Sequence, residues 1–359
     1  MPDITAHSPD EFLRAFRDQP LSPPIALYAG AALHRAGRIE EAVAVWTIGA
    51  DHEPMLRKMH LHPQANDELK THSKLANDAI CAHFAKLQAE TLDAVEEKVG
   101  EPLGRVRAGI WPHFAPTAFD YRATGQRPLT FYMPDLPAAP VTSSDDLPWA
   151  AAIEAATGDI LAEYQSALAS QATFKPYVFA EMAGGQWDEL RENPDWSALF
   201  IHYNAEVTDM ASAFPKTLAA LADAPLVRRD GVPLETFFSR LTPGTRIPPH
   251  HGLTNSRLTV HLPVIVPTAT EENRPWIRVG DAIHHWRVGE LFAFDDSFEH
   301  EACNPTDADR TVLIFEAHHP DLNQAEIAAI EAVYSAFDDW GTSRATLLGL
   351  NANGEAPAT

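Results

Sequence analysis

Apolar residues in the first hundred positions recur every three to four places, the spacing of a single buried helix face. Ser8-Pro9-Asp10-Glu11 reads as a helix start, with a serine cap, proline at the first position and glutamate three residues after the serine. Phe12, Leu13 and Phe16 form the stripe behind it. Two short helices are predicted at 26–36 and 39–50, broken at Gly37. A longer one is predicted over 67–99, where Leu75, Ile80, Phe84, Leu87 and Val95 keep helical spacing.

Beyond Gly100 the pattern weakens, and from Leu234 its period falls to two. Strands are expected at 236–241, 258–266, 276–279, 291–294 and 311–317, with Gly244, Gly280-Asp281 and Gly289 marking turns. Upstream, 128–133 and 196–203 read as further strands, and Asp145-Asp146-Leu147-Pro148-Trp149 precedes a helix running to about residue 169. Asn323-Gln324-Ala325-Glu326 caps a last helix through about Trp340, and the stretch from Gly341 lacks periodicity and reads as mobile. The fold class is therefore α+β. We expect a helical region at 1–100, a β domain at 101–345 and a flexible tail at 346–359. The hairpin around Gly37 resembles one tetratricopeptide repeat; a lone repeat cannot bury both its faces, so it reads as a partner-binding arm or as a helical cap.

Composition narrows the function. A net charge of −23 repels phosphate backbones and anionic headgroups, which argues against nucleic acid and membrane partners. The two cysteines, Cys81 and Cys303, lie far apart and cannot form a disulfide framework. Met1-Pro2-Asp3-Ile4 lacks a basic, apolar leader, and no run approaches the roughly 20 apolar residues of a membrane span. A soluble, cytoplasmic protein is expected.

The candidate chemistry lies in the β region. His250 and His300 each sit beside an apolar strand pattern, where a pleated sheet can aim two imidazoles into one mouth. A non-haem iron site usually adds a carboxylate two residues after the first histidine, but that position is Gly252. Water, or one of Asp295, Asp296 and Glu299, could take the vacant place. His251 cannot aim inward together with His250, because strand neighbours face opposite ways. Arg310 opens an apolar strand and suits a carboxylate ligand or an internal salt bridge. Along 257–262, alternation sends Arg257, Thr259 and His261 to one face, as a polar pocket wall or a solvated one. His60, His62, His72 and His83 do not converge on a metal-binding face.

The text Pro243-Gly244-Thr245, His250-His251-Gly252-Leu253-Thr254-Asn255-Ser256-Arg257-Leu258, His261-Leu262, Gly289-Glu290-Leu291, Phe294-Asp295-Asp296-Ser297-Phe298-Glu299-His300-Glu301, Arg310 and His319-Pro320 resembles the aspartyl/asparaginyl β-hydroxylase family. Similarity extends over about 126–340. The resemblance implies a double-stranded β-helix (jelly-roll, cupin-like) core and an Fe(II)- and 2-oxoglutarate-dependent dioxygenase. It implies a peptide, protein or small-molecule substrate, hydroxylated at an unactivated C–H bond. Glycine at 252 is then expected. His250 and His300 become the iron ligands, Ser239 and Arg310 partners of the distal carboxylate of 2-oxoglutarate, and His261 a partner of its metal-proximal end. Arg257 and Thr259 share that co-substrate wall, and Asp296 and Glu299 would orient the histidines. Thr259 departs from the pattern, since many members carry arginine there. That departure leaves two rival readings: an interaction protein that has lost catalysis, or a non-oxidative cupin-type metalloenzyme.

Overall fold

The computed structural model describes residues 7–115, 119–170, 172–179 and 187–351. It divides into two compact units. One comprises the described residues of Met1–Arg107, Phe114–Ala118 and Ala328–Thr359, the other those of Ala108–His113 and Phe119–Ile327.

The first unit is helical: α1 (Pro9–Asp18), α2 (Pro23–Arg35), α3 (Ile39–His52), α4 (Met55–Lys58), α5 (Asp67–Val99) and α6 (Gly104–Arg107). Ser8 and Glu11 close the capping box reciprocally, the serine hydroxyl accepting from Glu11 N and the glutamate from Ser8 N. Gly30 of α2 lies under Trp46 of α3; a Cβ there would meet the indole at 2.3 Å, so only glycine permits the approach. Asn66 caps α5, and Gly100 ends it in the left-handed region at φ 73°.

The second unit holds α7 (Ala150–Ala155), α8 (Thr157–Ala169) and α9 (Pro215–Ala220). Its first strands are β1 (Val141–Ser143), β2 (Lys175–Pro176), β3 (Trp196–Tyr203), β4 (Glu206–Val207), β5 (Arg228–Arg229), β6 (Val232–Pro233) and β7 (Thr236–Leu241). There follow β8 (Arg246–His250), β9 (Arg257–Ile265), β10 (Trp276–Val279), β11 (Ala282–His285), β12 (Phe292–Phe294), β13 (His300–Cys303) and β14 (Arg310–His318). One antiparallel sheet runs β1-β12-β9-β14-β7-β3-β2, with β4 on β3; a second runs β11-β10-β13-β8. Helix α10 (Gln324–Leu347) belongs to the helical unit from Ala328 onward.

Period-two patterning decides where each strand residue goes. Leu258, Val260 and Leu262 of β9, with Leu313, Phe315 and Ala317 of β14, face a core built with Ile153, Ile160 and Tyr164 of α7 and α8. Val312, on the opposite face of β14, packs with Phe292 and Phe294 of β12 and with Ile277, Val279 and Ala302 of the second sheet. The large sheet therefore has a helix-covered face and a face turned to the smaller sheet. Each large apolar side chain so buried contributes about 1.5–3 kcal/mol.

Two expectations fail. Residues 128–133 form no continuous strand; Phe131 and Tyr132 make only isolated bridges, to Thr254 and Ile110. The stretch from Gly341 is not aperiodic, because α10 continues to Leu347 and Leu348 and Leu350 enter the helical core. Gly341 and Thr342 interrupt the apolar spacing without breaking the helix. The expectations for 352–359 and for Met1-Pro2-Asp3-Ile4 lie outside the described residues. No helix among the described residues is long and apolar enough to cross a membrane.

Candidate active site

β8 and β13 pair so that His250 and His300 are direct partners across the ladder. Their ring centroids lie 3.9 Å apart with the planes at 54°. A register shift between His300 and Ala302 bends β13 just beyond the histidine. His250 Nδ1 donates to the Pro248 carbonyl at 2.8 Å, and His300 Nδ1 to the Phe298 carbonyl at 3.0 Å. A carbonyl can only accept, so both rings carry their proton on Nδ1 and keep the Nε2 lone pair for a ligand. Burial holds both neutral, lowering His250 to about 4 and His300 to about 3, the second also because two imidazoles this close cannot both take a proton.

Gly252 has a steric cause. A Cβ on it would lie 2.0 Å from Asp296 Cγ, so the Asp296 carboxyl occupies the space where a side chain at 252 would begin. The Gly252 amide donates to the Asp296 carbonyl at 2.6 Å. Of the other acids open in sequence, Asp295 accepts from Gln126 Nε2 at 2.8 Å and from the Ser297 amide at 2.9 Å. Glu299 pairs with Arg278 at 2.8 Å. Asp296 accepts from Thr259 Oγ1 at 3.3 Å, and its Oδ1 has no partner among the described residues. Burial raises its carboxyl to about 7 against the pull of Arg257. Among the described residues no group of three or more His, Cys, Asp or Glu could hold a metal ion.

Arg310 lies on the face of β14 turned to the second sheet, 1% exposed. Its Nη1 reaches the Ser239 carbonyl at 3.2 Å and the Ser239 hydroxyl at 3.4 Å, while its Nε is unpartnered. No carboxylate among the described residues pairs with it, and burial alone pulls it down to about 9. Its guanidinium sits 4.2 Å from the centroid of the Trp286 ring. Trp286 also donates from Nε1 to His261 Nδ1 at 3.2 Å, which leaves the His261 proton on Nε2. Burial and the Arg310 charge keep His261 far below the usual histidine range. Sequence reasoning missed Trp286, since a tryptophan after a short strand carries no periodic signal.

The structure thus brings His250, His300, His261, Ser239 and Arg310 onto facing walls of one interior. Arg257 and Thr259 line the same face, where Arg257 pairs with Glu316 at 2.9 Å. Trp187, named in no motif, packs edge-on against His250 at 4.9 Å.

Residues 154–320 match the family described as Aspartyl/Asparaginyl beta-hydroxylase. Within that region, a little under half of the chain, it is similar to that family. It is 30% identical over 182 residues to the ornithine lipid ester-linked acyl 2-hydroxylase of Rhizobium tropici, covering 50% of this chain and 61% of that protein. It is 31% identical over 150 residues to the mouse (Mus musculus) aspartyl/asparaginyl beta-hydroxylase, covering 41% of this chain and 19% of that protein. The matches therefore span less than two thirds of either relative. A solved prolyl-4-hydroxylase from Pseudomonas putida aligns with 50% of this chain and 91% of its own at 16% identity and a TM-score of 0.29, too slight a likeness to argue from.

Proposed function

We propose that the chain is an Fe(II)- and 2-oxoglutarate-dependent dioxygenase built on a double-stranded β-helix. Its substrate is an aspartyl or asparaginyl residue or a related small molecule, hydroxylated at an unactivated C–H bond. The observation that carries the reading is Arg310. A cation 1% exposed and without a counter-carboxylate among the described residues is expensive unless a ligand supplies the anion. A dicarboxylic acid meets that need, with one end at Arg310 and Ser239 and the other toward the paired histidines.

The donor set fits the metal as well. Two neutral imidazoles with free Nε2 atoms suit iron(II), and the two-histidine set leaves positions for co-substrate and oxygen. Bound there, iron and 2-oxoglutarate would supply the oxidising power, with oxygen and 2-oxoglutarate consumed to give the alcohol, succinate and carbon dioxide. The chain's own residues orient and exclude. The Pro248 and Phe298 carbonyls fix the ring faces of His250 and His300. The Nε2 proton of His261 offers a neutral donor to a co-substrate oxygen. Thr259 stands where many members of the resembled family carry arginine, so Arg310 bears most of the anion's charge here.

The test is succinate formation with iron(II), 2-oxoglutarate and oxygen over candidate peptides and cell extract, with His300→Ala as the control. The variant should stay folded and lose metal-dependent turnover. Equal succinate from both proteins rejects the assignment, and iron binding with no succinate at all supports a non-oxidative metalloenzyme.

A further inference from the structure

Next to the paired histidines, the interior wall formed by β9, β14 and the start of β7 carries an imbalance of charge. Arg257 and Glu316 form an ion pair at 2.9 Å, each more than four-fifths buried. Glu235 and Asp296 stand in the field of that same pair. The ladder sets Glu316 opposite Thr259, whose hydroxyl donates to Asp296, and the Tyr177 hydroxyl lies within electrostatic reach of Glu235, Glu316, Asp296 and Arg257. Among the described residues, three carboxyl groups thus stand about this guanidinium.

Two further observations point to a ligand. Asp296 is 8% exposed, yet its Oδ1 has no partner among the described residues. The neighbouring wall is aromatic: Tyr177 stacks on Trp196 at 4.3 Å and on Phe237 at 5.3 Å, and Trp187 abuts His250. Carboxylates beside aromatic faces in a poorly solvated interior favour a cation, through direct charge and through the ring quadrupole. An aspartate side chain would meet the same wall with like charge.

We propose that the substrate of this site carries a positively charged group, an ammonium or guanidinium, seated between Glu235, Glu316 and Asp296 and the Tyr177 face. The inference rests on the oxygenase reading for its place beside the reacting carbon. It narrows the substrates of that reading to those that also carry a cationic group.

The experiment is calorimetric titration of the metal-free chain with three probes of similar size: N-acetyl-lysinamide, N-acetyl-norleucinamide and the α-amide of N-acetyl-glutamate. The lysine probe should bind at least about tenfold more tightly than the norleucine probe, and the glutamate probe more weakly still. Glu235→Gln and Glu316→Gln, both isosteric, should each lower lysine-probe affinity about tenfold, and the second, by removing a negative charge beside Arg257, should improve the glutamate probe. Equal affinity for the lysine and norleucine probes overturns the proposal. So does a lysine probe that does not bind, or affinity unchanged in both variants. Because no turnover is read, a cation-selective chain that makes no succinate would sink the oxygenase assignment alone. Succinate without cation preference would sink this inference alone.

Discussion

The two faces of β9 and β14 share every backbone hydrogen bond yet have little else in common. Toward the helices stand Leu258, Val260, Leu262, Leu313, Phe315 and Ala317, all apolar and almost wholly buried. Toward the smaller sheet the same strands present Arg257, Thr259, His261, Arg310 and Glu316. A pleat separates these sets by one residue, so the chain can invest stability on one side and keep unsatisfied polarity on the other. The lesson is a division of labour. The helix-covered face supplies free energy of folding, and the interior face draws on it to hold groups that would destabilise the fold if they stood alone.

Mutating both sides of a single strand tests that division. The largest effect belongs to Phe315→Ala on the helix side, which should lower the unfolding free energy by about 3–5 kcal/mol in denaturant titration while leaving ligand affinity of the folded protein unchanged. Arg310→Met on the opposite side should do the reverse. Its 2-oxoglutarate affinity, read by titration in the presence of a divalent metal, should fall about 100-fold, while the denaturation midpoint holds or rises because a buried unpaired charge is gone. A midpoint that dropped as far as in the phenylalanine variant would abolish the distinction between the faces.

Gly252→Ala adds a single methyl group against the Asp296 carboxyl. We expect about 1–3 kcal/mol of destabilisation and about 10–100-fold weaker metal binding, measured by iron(II) or nickel(II) titration. Tighter binding would show that Asp296 yields easily and that glycine is not sterically required. The subtlest effect is electrostatic, because only a change of pH reveals it. Burial and the Glu316 charge raise the Glu235 carboxyl from its usual 4.5 to about 7. A raised carboxyl pKa means the folded state binds the proton more tightly, so its contribution is complete below pH 4.5 and disappears as pH climbs through 7. The unfolding free energy of the wild type relative to Glu235→Gln should therefore decline by about 3 kcal/mol between those limits. A flat difference would place Glu235 in water.

Much of this was readable in advance wherever a local rule decides the outcome. Residues 196–203, 236–241 and 276–279 fold as the strands their spacing indicates, and 67–99 as the helix. β8 escaped notice because Pro248-Pro249 hides a strand that pairs along one edge only, and β13 because four residues are too few to show a period. The facing of Arg257, Thr259 and His261 follows from alternation alone, but that it points to an interior and not to solvent depends on the second sheet, a long-range fact. Gly252 marks the same limit: the residue was visible, and its reason, a carboxyl forty-four positions further along, was not. Trp286 left no trace at all.

That indole touches two parts of the site together, lying against the Arg310 guanidinium and donating to His261 Nδ1. Replacing it would unseat the anchor and release the imidazole tautomer in one stroke, so neither residue can drift independently of the other. Descendants of this sequence should accept change there only as a concerted trio, a strong case of epistasis written into three side chains.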